Sequence, residues 1–77
     1  MFFGYTPAEI LNKVFILTYE GGSEPGLTRR VYITGYDTIR FEYINTYDFE
    51  RGNFRNFSVG NISNFMEFEG AHVVKGL

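Results

Sequence analysis

Among the residue types in this chain, arginine is the one best placed to bind an anionic ligand. Arg55 lies two residues before Phe57 in a strand-like segment, so the two side chains share one face of that strand. An arginine at the end of an apolar row packs its stem against the row and turns its guanidinium toward a phosphate or carboxylate. The alternative is an ion pair within the protein with Asp48, Glu50 or Glu42, because most arginine–carboxylate pairs are structural.

A second basic pair, Arg29 and Arg30, opens another strand-like segment. Adjacent strand residues point to opposite faces, so only one of the two can share a surface with Arg55. We take both as candidate ligand-binding residues, together with Arg55, Phe57 and Tyr43. The alternative for the pair is a solvated strand edge.

Aromatic residues are unusually frequent, with nine Phe and six Tyr among 77 residues. Rings that alternate with arginine suit single-stranded nucleic acid, because any base stacks on a ring while arginine holds the backbone. Ordinary cross-strand packing is the alternative. The sequence leaves open which sheet face is inner, since apolar residues occur on both. The candidate stacking or interface residues are Tyr32, Tyr36, Phe41, Tyr47 and Phe54.

No group of residues forms a catalytic or metal-binding pattern. The chain has no cysteine and a single histidine, His72, without spaced ligand partners. Glu67 and Glu69 share a strand face, but a solvated edge accounts for them better than acid–base chemistry does. The loop 21–26 lacks the Lys-Ser/Thr that follows a phosphate-binding loop. We therefore predict no enzyme, no metal and no cofactor.

Composition and charge limit the binding partners and the cellular compartment that we expect for this chain. The net charge of −2 argues against broad binding to duplex DNA. No apolar run approaches the length of a membrane span, and the N-terminus lacks a signal pattern. With no cysteine to form disulfides, we expect a cytoplasmic protein and no membrane partner. Abundant Phe, Tyr, Asn and Ile suit an AT-rich genome such as that of a phage.

Local patterns predict one short helix followed by strands, in a single domain over residues 1–77. Thr6-Pro7-Ala8-Glu9 has the residues of a capping box and predicts a helix over about 6–13. Gly35 predicts a bend or bulge in the second strand. Residues 62–64 are predicted to form a single turn, and residues 71–74 to extend or pair at the edge of the sheet. The predicted strands are Val14–Glu20, Arg29–Tyr36, Ile39–Tyr47, Phe54–Val59 and Phe65–Phe68. Short connections then predict an all-β fold, a small five-stranded antiparallel SH3/Sm-like barrel over about 14–74.

Four landmarks follow one another between residues 16 and 62: the segment Tyr19–Gly26, then Arg29-Arg30-Val31, then Glu42-Tyr43-Ile44, and finally the closing run from Phe54 to Ile62. In their order and spacing these residues resemble the WYL domain, an Sm-like barrel of bacterial regulators, with Glu42-Tyr43-Ile44 at the position of the name-giving triplet. The resemblance implies the barrel fold and a role in sensing ligands or nucleic acid through basic residues.

The same resemblance has three departures. Glu42 replaces the Trp of the triplet, Ser58 replaces a second Arg, and Asn61 replaces a later basic residue. Of the family's basic residues, Arg55 and either Arg29 or Arg30 remain to carry the role.

Together these features predict a non-enzymatic binding module. It would recognise single-stranded nucleic acid or an anionic small ligand through Arg55 and surface tyrosines. The alternatives are a small interaction or inhibitor module that docks on a larger protein through its aromatic face, and a homo-oligomeric structural unit.

Overall fold

A computed structural model describes residues 1–68 as one five-stranded antiparallel sheet with a short N-terminal helix. The strands lie in the order β4-β3-β2-β1-β5. This confirms the predicted all-β class, while the predicted extension at 71–74 lies outside the described residues. The elements are α1 (Pro7–Ile10), β1 (Val14–Tyr19), β2 (Leu27–Tyr36), β3 (Tyr43–Asp48), β4 (Asn53–Ser58), a 3-10 helix (Val59–Asn61) and β5 (Ile62–Glu67).

The helix begins where its capping residues predict but ends early. The Glu9 carboxylate accepts a hydrogen bond from the Thr6 N–H at 2.7 Å, and this bond holds the pKa of Glu9 below its ordinary value. The predicted end near residue 13 is wrong, because Asn12 has φ +62° and its N–H donates to the Ile33 carbonyl at 2.9 Å. The chain therefore leaves the helix after one turn and enters the sheet.

The core lies on one face of the sheet, which we call the inner face. Alternate strand residues point to it: Phe15 and Leu17 on β1 pair across from Val31 and Arg29 on β2. Phe15 also stacks on Phe65 of β5, with ring centroids 4.1 Å apart. The buried apolar cluster contains Ile10, Phe15, Leu17, Val31, Ile33, Ile44, Phe57, Ile62 and Phe65.

The third strand starts later than its sequence pattern predicts. Residues 39–42 form a turn and its exit instead of strand, because the Asp37 carboxylate accepts backbone N–H groups of Ile39, Arg40 and Glu42. These hydrogen bonds lower the pKa of Asp37, and the bond from the Glu42 N–H has the largest effect. Phe41 takes φ +53° at the exit. The Asp37 carboxylate thus binds backbone N–H groups that would otherwise be available for hydrogen bonds between strands.

Two irregularities shape the sheet. The pairing of β2 with β3 shifts register between Ile33 and Gly35, which confirms the predicted bulge at Gly35. The turn predicted at 62–64 is wrong: the 3-10 helix comes three residues earlier, and β5 starts at Ile62. The register also shifts between Thr18 and Tyr19, which lets Ile62 and Phe65 both point into the core.

The sheet curls strongly enough to bring β1 against the end of β4. Two strands separate these elements in the sheet order, yet the Tyr19 hydroxyl accepts a hydrogen bond from the Ser58 N–H at 3.0 Å. The next residue, Glu20, donates its N–H to the Asn61 carbonyl at 2.8 Å. Full closure into a barrel remains a prediction. No helix within residues 1–68 is long and apolar enough to cross a membrane.

Candidate functional site

Arg29 and Asp48 form a buried ion pair on the inner face. The Arg29 Nη1 lies 3.0 Å from the Asp48 Oδ2, and the side chains are 4% and 0% exposed. The Arg29 guanidinium also lies 5.8 Å from the centre of the Phe57 ring. The charge of Arg29 is therefore neutralised inside the protein. From the sequence, Arg55 is the arginine for which an ion pair with Asp48 is left open.

Arg55 lies on the same inner face, half-buried, with its guanidinium carbon 5.6 Å from the centre of the Phe57 ring. It forms no salt bridge with any carboxylate among residues 1–68. The three carboxylates that could have paired with it have other partners. Asp48 pairs with Arg29, Glu50 accepts the Arg30 N–H, and Glu42 lies 4.0 Å from Arg40.

Tyr19 completes the surroundings of Arg55. Its ring packs edge-on against Phe57, with centroids 4.7 Å apart. Partial burial raises the pKa of Tyr19, but hydrogen bonds with Ser58 and Asn61 and the charge of Arg55 together outweigh burial, so the pKa lies below its ordinary value. The surroundings of Tyr19 therefore favour its phenolate form.

We call Tyr19, Arg55, Phe57 and Asn61 the Arg55 cluster. Gly21 closes one side of it, because a Cβ at that position would lie 2.9 Å from the Tyr19 ring and 3.0 Å from the Asn61 Nδ2. The cluster offers a guanidinium, a phenol and an amide, which together can hold an oxyanion.

A second arrangement lies on the opposite, outer face. Tyr32, Tyr47 and Phe54 are directly paired across β2, β3 and β4. The rings of Tyr47 and Phe54 meet edge-to-face at 5.1 Å, and Phe54 is 74% exposed. We call these three residues the outer aromatic row. With Thr34 they line an apolar groove of about 300 Å³.

Arg30 lies on the outer face, two residues before Tyr32. Its guanidinium carbon lies 4.8 Å from the centre of the Phe49 ring and 5.7 Å from that of Phe68. Its Nε is buried without a hydrogen-bond partner among the described residues. The prediction that Arg29 and Arg30 face opposite ways is confirmed, and Arg29 is the one that shares a face with Arg55.

The other predicted ring residues do not join the outer aromatic row. Tyr36 and Phe41 lie 5.8 Å apart and pack against the core. Tyr43 belongs to the outer face, but a hydrogen-bonded pair of side chains, Asn45 with Asn56, lies between it and the row. The predicted binding surface therefore divides into two: Arg55 and Phe57 inside, and three rings outside.

Sequence reasoning did not select Tyr19, Asn61 or Phe49 as site residues. Tyr19 continues the alternation of Phe15 and Leu17, which is a signal that it shares the inner face. Its contact with Ser58 depends on the curl of the sheet, and no local pattern encodes that curl.

No protein-family model, curated protein or solved structure matches this chain. Within residues 1–68, no three His, Asp or Glu side chains are grouped as metal ligands.

Proposed function

We propose that this chain is a non-enzymatic binding module that holds an anionic small ligand at the Arg55 cluster. The observation that carries the proposal is the guanidinium of Arg55, which is half-buried against Phe57 while its three candidate carboxylate partners are engaged elsewhere. A fixed arginine with unused donors is suited to bind a phosphate or a carboxylate with two parallel hydrogen bonds.

The neighbours of Arg55 support an anion over a cation. Tyr19 has a lowered pKa, and the groups that lower it include the Arg55 charge. An anion at the same place gains from the same charge and from the Tyr19 hydroxyl and Asn61 amide as donors. The rings of Tyr19 and Phe57 exclude water from one side, which strengthens the attraction.

We further propose that the chain is a divergent WYL domain and that it acts in the cytoplasm. The order of the landmarks and the position of Arg55 in the closing run Phe54–Ile62 support this membership, whereas Asn61 in the same run departs from the family's basic residue. The absence of cysteine fits a reducing compartment.

Thermal unfolding in phosphate, compared with chloride at equal ionic strength, tests the proposal. A ligand that binds only the folded state raises the unfolding midpoint. Phosphate also stabilises proteins generally, so the informative quantity is the difference between variants. We expect the phosphate-specific shift to be lost in Arg55→Ala and kept in Arg40→Ala, which removes an exposed arginine. Equal shifts in both variants would contradict the proposal.

A further inference from the structure

The outer face carries a second group of residues that the Arg55 cluster does not use. Tyr32, Tyr47 and Phe54 present a row of rings across three strands, and Arg30 lies beside the row on the same face. Two residues along a strand are about 6.6 Å apart, which the sugar and phosphate of one nucleotide can span. The face thus places ring surfaces and a cation one nucleotide apart.

Arg30 is held in place before any ligand arrives. The rings of Phe49 and Phe68 lie 4.8 and 5.7 Å from its guanidinium carbon. No carboxylate among residues 1–68 forms a salt bridge with it, since the nearby Glu50 accepts the backbone N–H of Arg30 instead. A cation with an ordered stem and unused donors loses little conformational entropy on binding a phosphate.

The ring row supplies the other half of the recognition. The groove along Tyr32, Thr34, Tyr47 and Phe54 is apolar, and Phe54 is 74% exposed at the sheet edge. An aromatic ring that is largely in water gains from stacking with a base, whatever the base is. An apolar groove alone would equally suit a second protein, but the fixed cation beside it favours a chain of phosphates.

We propose that the outer face binds a short single-stranded nucleic acid, with bases on the outer aromatic row and one phosphate on Arg30. This site is separate from the Arg55 cluster, because Phe54 and Arg55 are adjacent on β4 and point to opposite faces. The net charge of −2 gives the protein no overall attraction for a polyanion, so Arg30 is the cation on which this site depends. We therefore expect weak binding that depends little on sequence.

Titration of fluorescein-labelled oligo-dT and oligo-U into the full chain, at several salt concentrations, tests this proposal. Each neutralised phosphate contributes about −0.7 to the slope of log affinity against log salt. Arg30→Gln should therefore flatten the slope by about this amount. Phe54→Ala should weaken binding by about 5- to 150-fold, the range for one stacked base, and leave the slope unchanged.

Two control variants test whether binding belongs to this face. Ile39→Ala removes an exposed apolar side chain of the turn after Asp37, which is not part of the row, and should bind as the wild type does. Arg55→Ala should also bind normally, so that failure of the Arg55 proposal and failure of this one are distinguishable. Circular dichroism of each variant confirms that it is folded.

Three outcomes would overturn the proposal. The first is no binding at low salt. The second is binding that Arg30→Gln and Phe54→Ala leave intact. The third is self-association of the wild type, by light scattering, that Phe54→Ala abolishes while oligonucleotides do not bind; this result would assign the face to a second copy of the chain.

Discussion

Asp48 is a buried carboxylate of the inner face that has partners in both the core and the β3–β4 turn. Its carboxylate is fully buried, receives Arg29 at 3.0 Å, and accepts the N–H groups of Glu50 and Arg51 that shape the β3–β4 turn. Removing one partner of a buried pair leaves the other charge uncompensated. The residue therefore couples the turn to the core.

We predict that Asp48→Ala lowers the free energy of unfolding by about 3–5 kcal/mol. The reason is that Arg29 would remain buried without its counter-charge. Urea unfolding followed by circular dichroism measures the change. Glu50→Ala, which removes an exposed acceptor from the same turn, is the matched control and should cost much less. A loss below about 1 kcal/mol in Asp48→Ala would fit an exposed pair and contradict this account.

Tyr19 reports on the electrostatics of the Arg55 cluster. Its folded pKa is lowered, so the tyrosinate adds stability as pH rises from the folded pKa toward the ordinary value near 10. Below the folded pKa the hydroxyl is protonated in both states and this contribution is absent.

We predict that Arg55→Ala moves the lowered pKa of Tyr19 upward. The change follows from loss of the arginine charge that favours the phenolate. Titration by ultraviolet absorbance, with Tyr19→Phe to identify the transition, measures both pKa values. Arg40→Ala serves as the control and should leave the Tyr19 transition where it is. An unchanged Tyr19 pKa in Arg55→Ala would show that the two groups are not coupled.

At the scale of elements, the sequence located most strands but not their ends. The capping residues marked the helix start, and Gly35 marked a real bulge. The third strand was placed too early because Asp37 is typical of a tight turn, whereas its carboxylate organises the backbone as far as Glu42. The start of β5 depends on a register shift against Thr18, which is a non-local feature.

Gly52 and Gly60 allow the cost of a backbone conformation to be measured separately from the cost of steric crowding. Gly52 ends the β3–β4 turn with φ +68°, whereas Gly60 lies in the 3-10 helix without a positive φ. An added Cβ would meet nothing within 4 Å at either position. Any difference between alanine substitutions therefore reports the backbone conformation alone.

We predict that Gly52→Ala lowers the free energy of unfolding by about 1–2 kcal/mol, the cost of a left-handed conformation for an L-residue. Gly60→Ala should be neutral or raise it by up to about 1 kcal/mol, because alanine restricts the unfolded chain. Chemical denaturation of both variants gives the comparison. Equal effects at the two positions would show that backbone conformation does not set the cost.

At the scale of the whole molecule, the curl of the sheet creates the candidate site. It brings Tyr19, at the end of β1, onto Ser58 at the end of β4, and so places a phenol beside Arg55. The sequence identified Arg55 but could not decide whether it was paired, since that depended on which arginine reached Asp48. Arg29 pairs with Asp48, and Arg55 forms no salt bridge with a carboxylate among residues 1–68.

The measurement that tests the central claim most directly is a two-dimensional amide NMR titration of the protein with inorganic phosphate. If an anion binds at the Arg55 cluster, the largest shifts should fall on the amides of Gly21, Ser58 and Asn61, and Arg55→Ala should abolish them. Shifts confined to the outer face, or a wild-type pattern preserved in Arg55→Ala, would contradict the account.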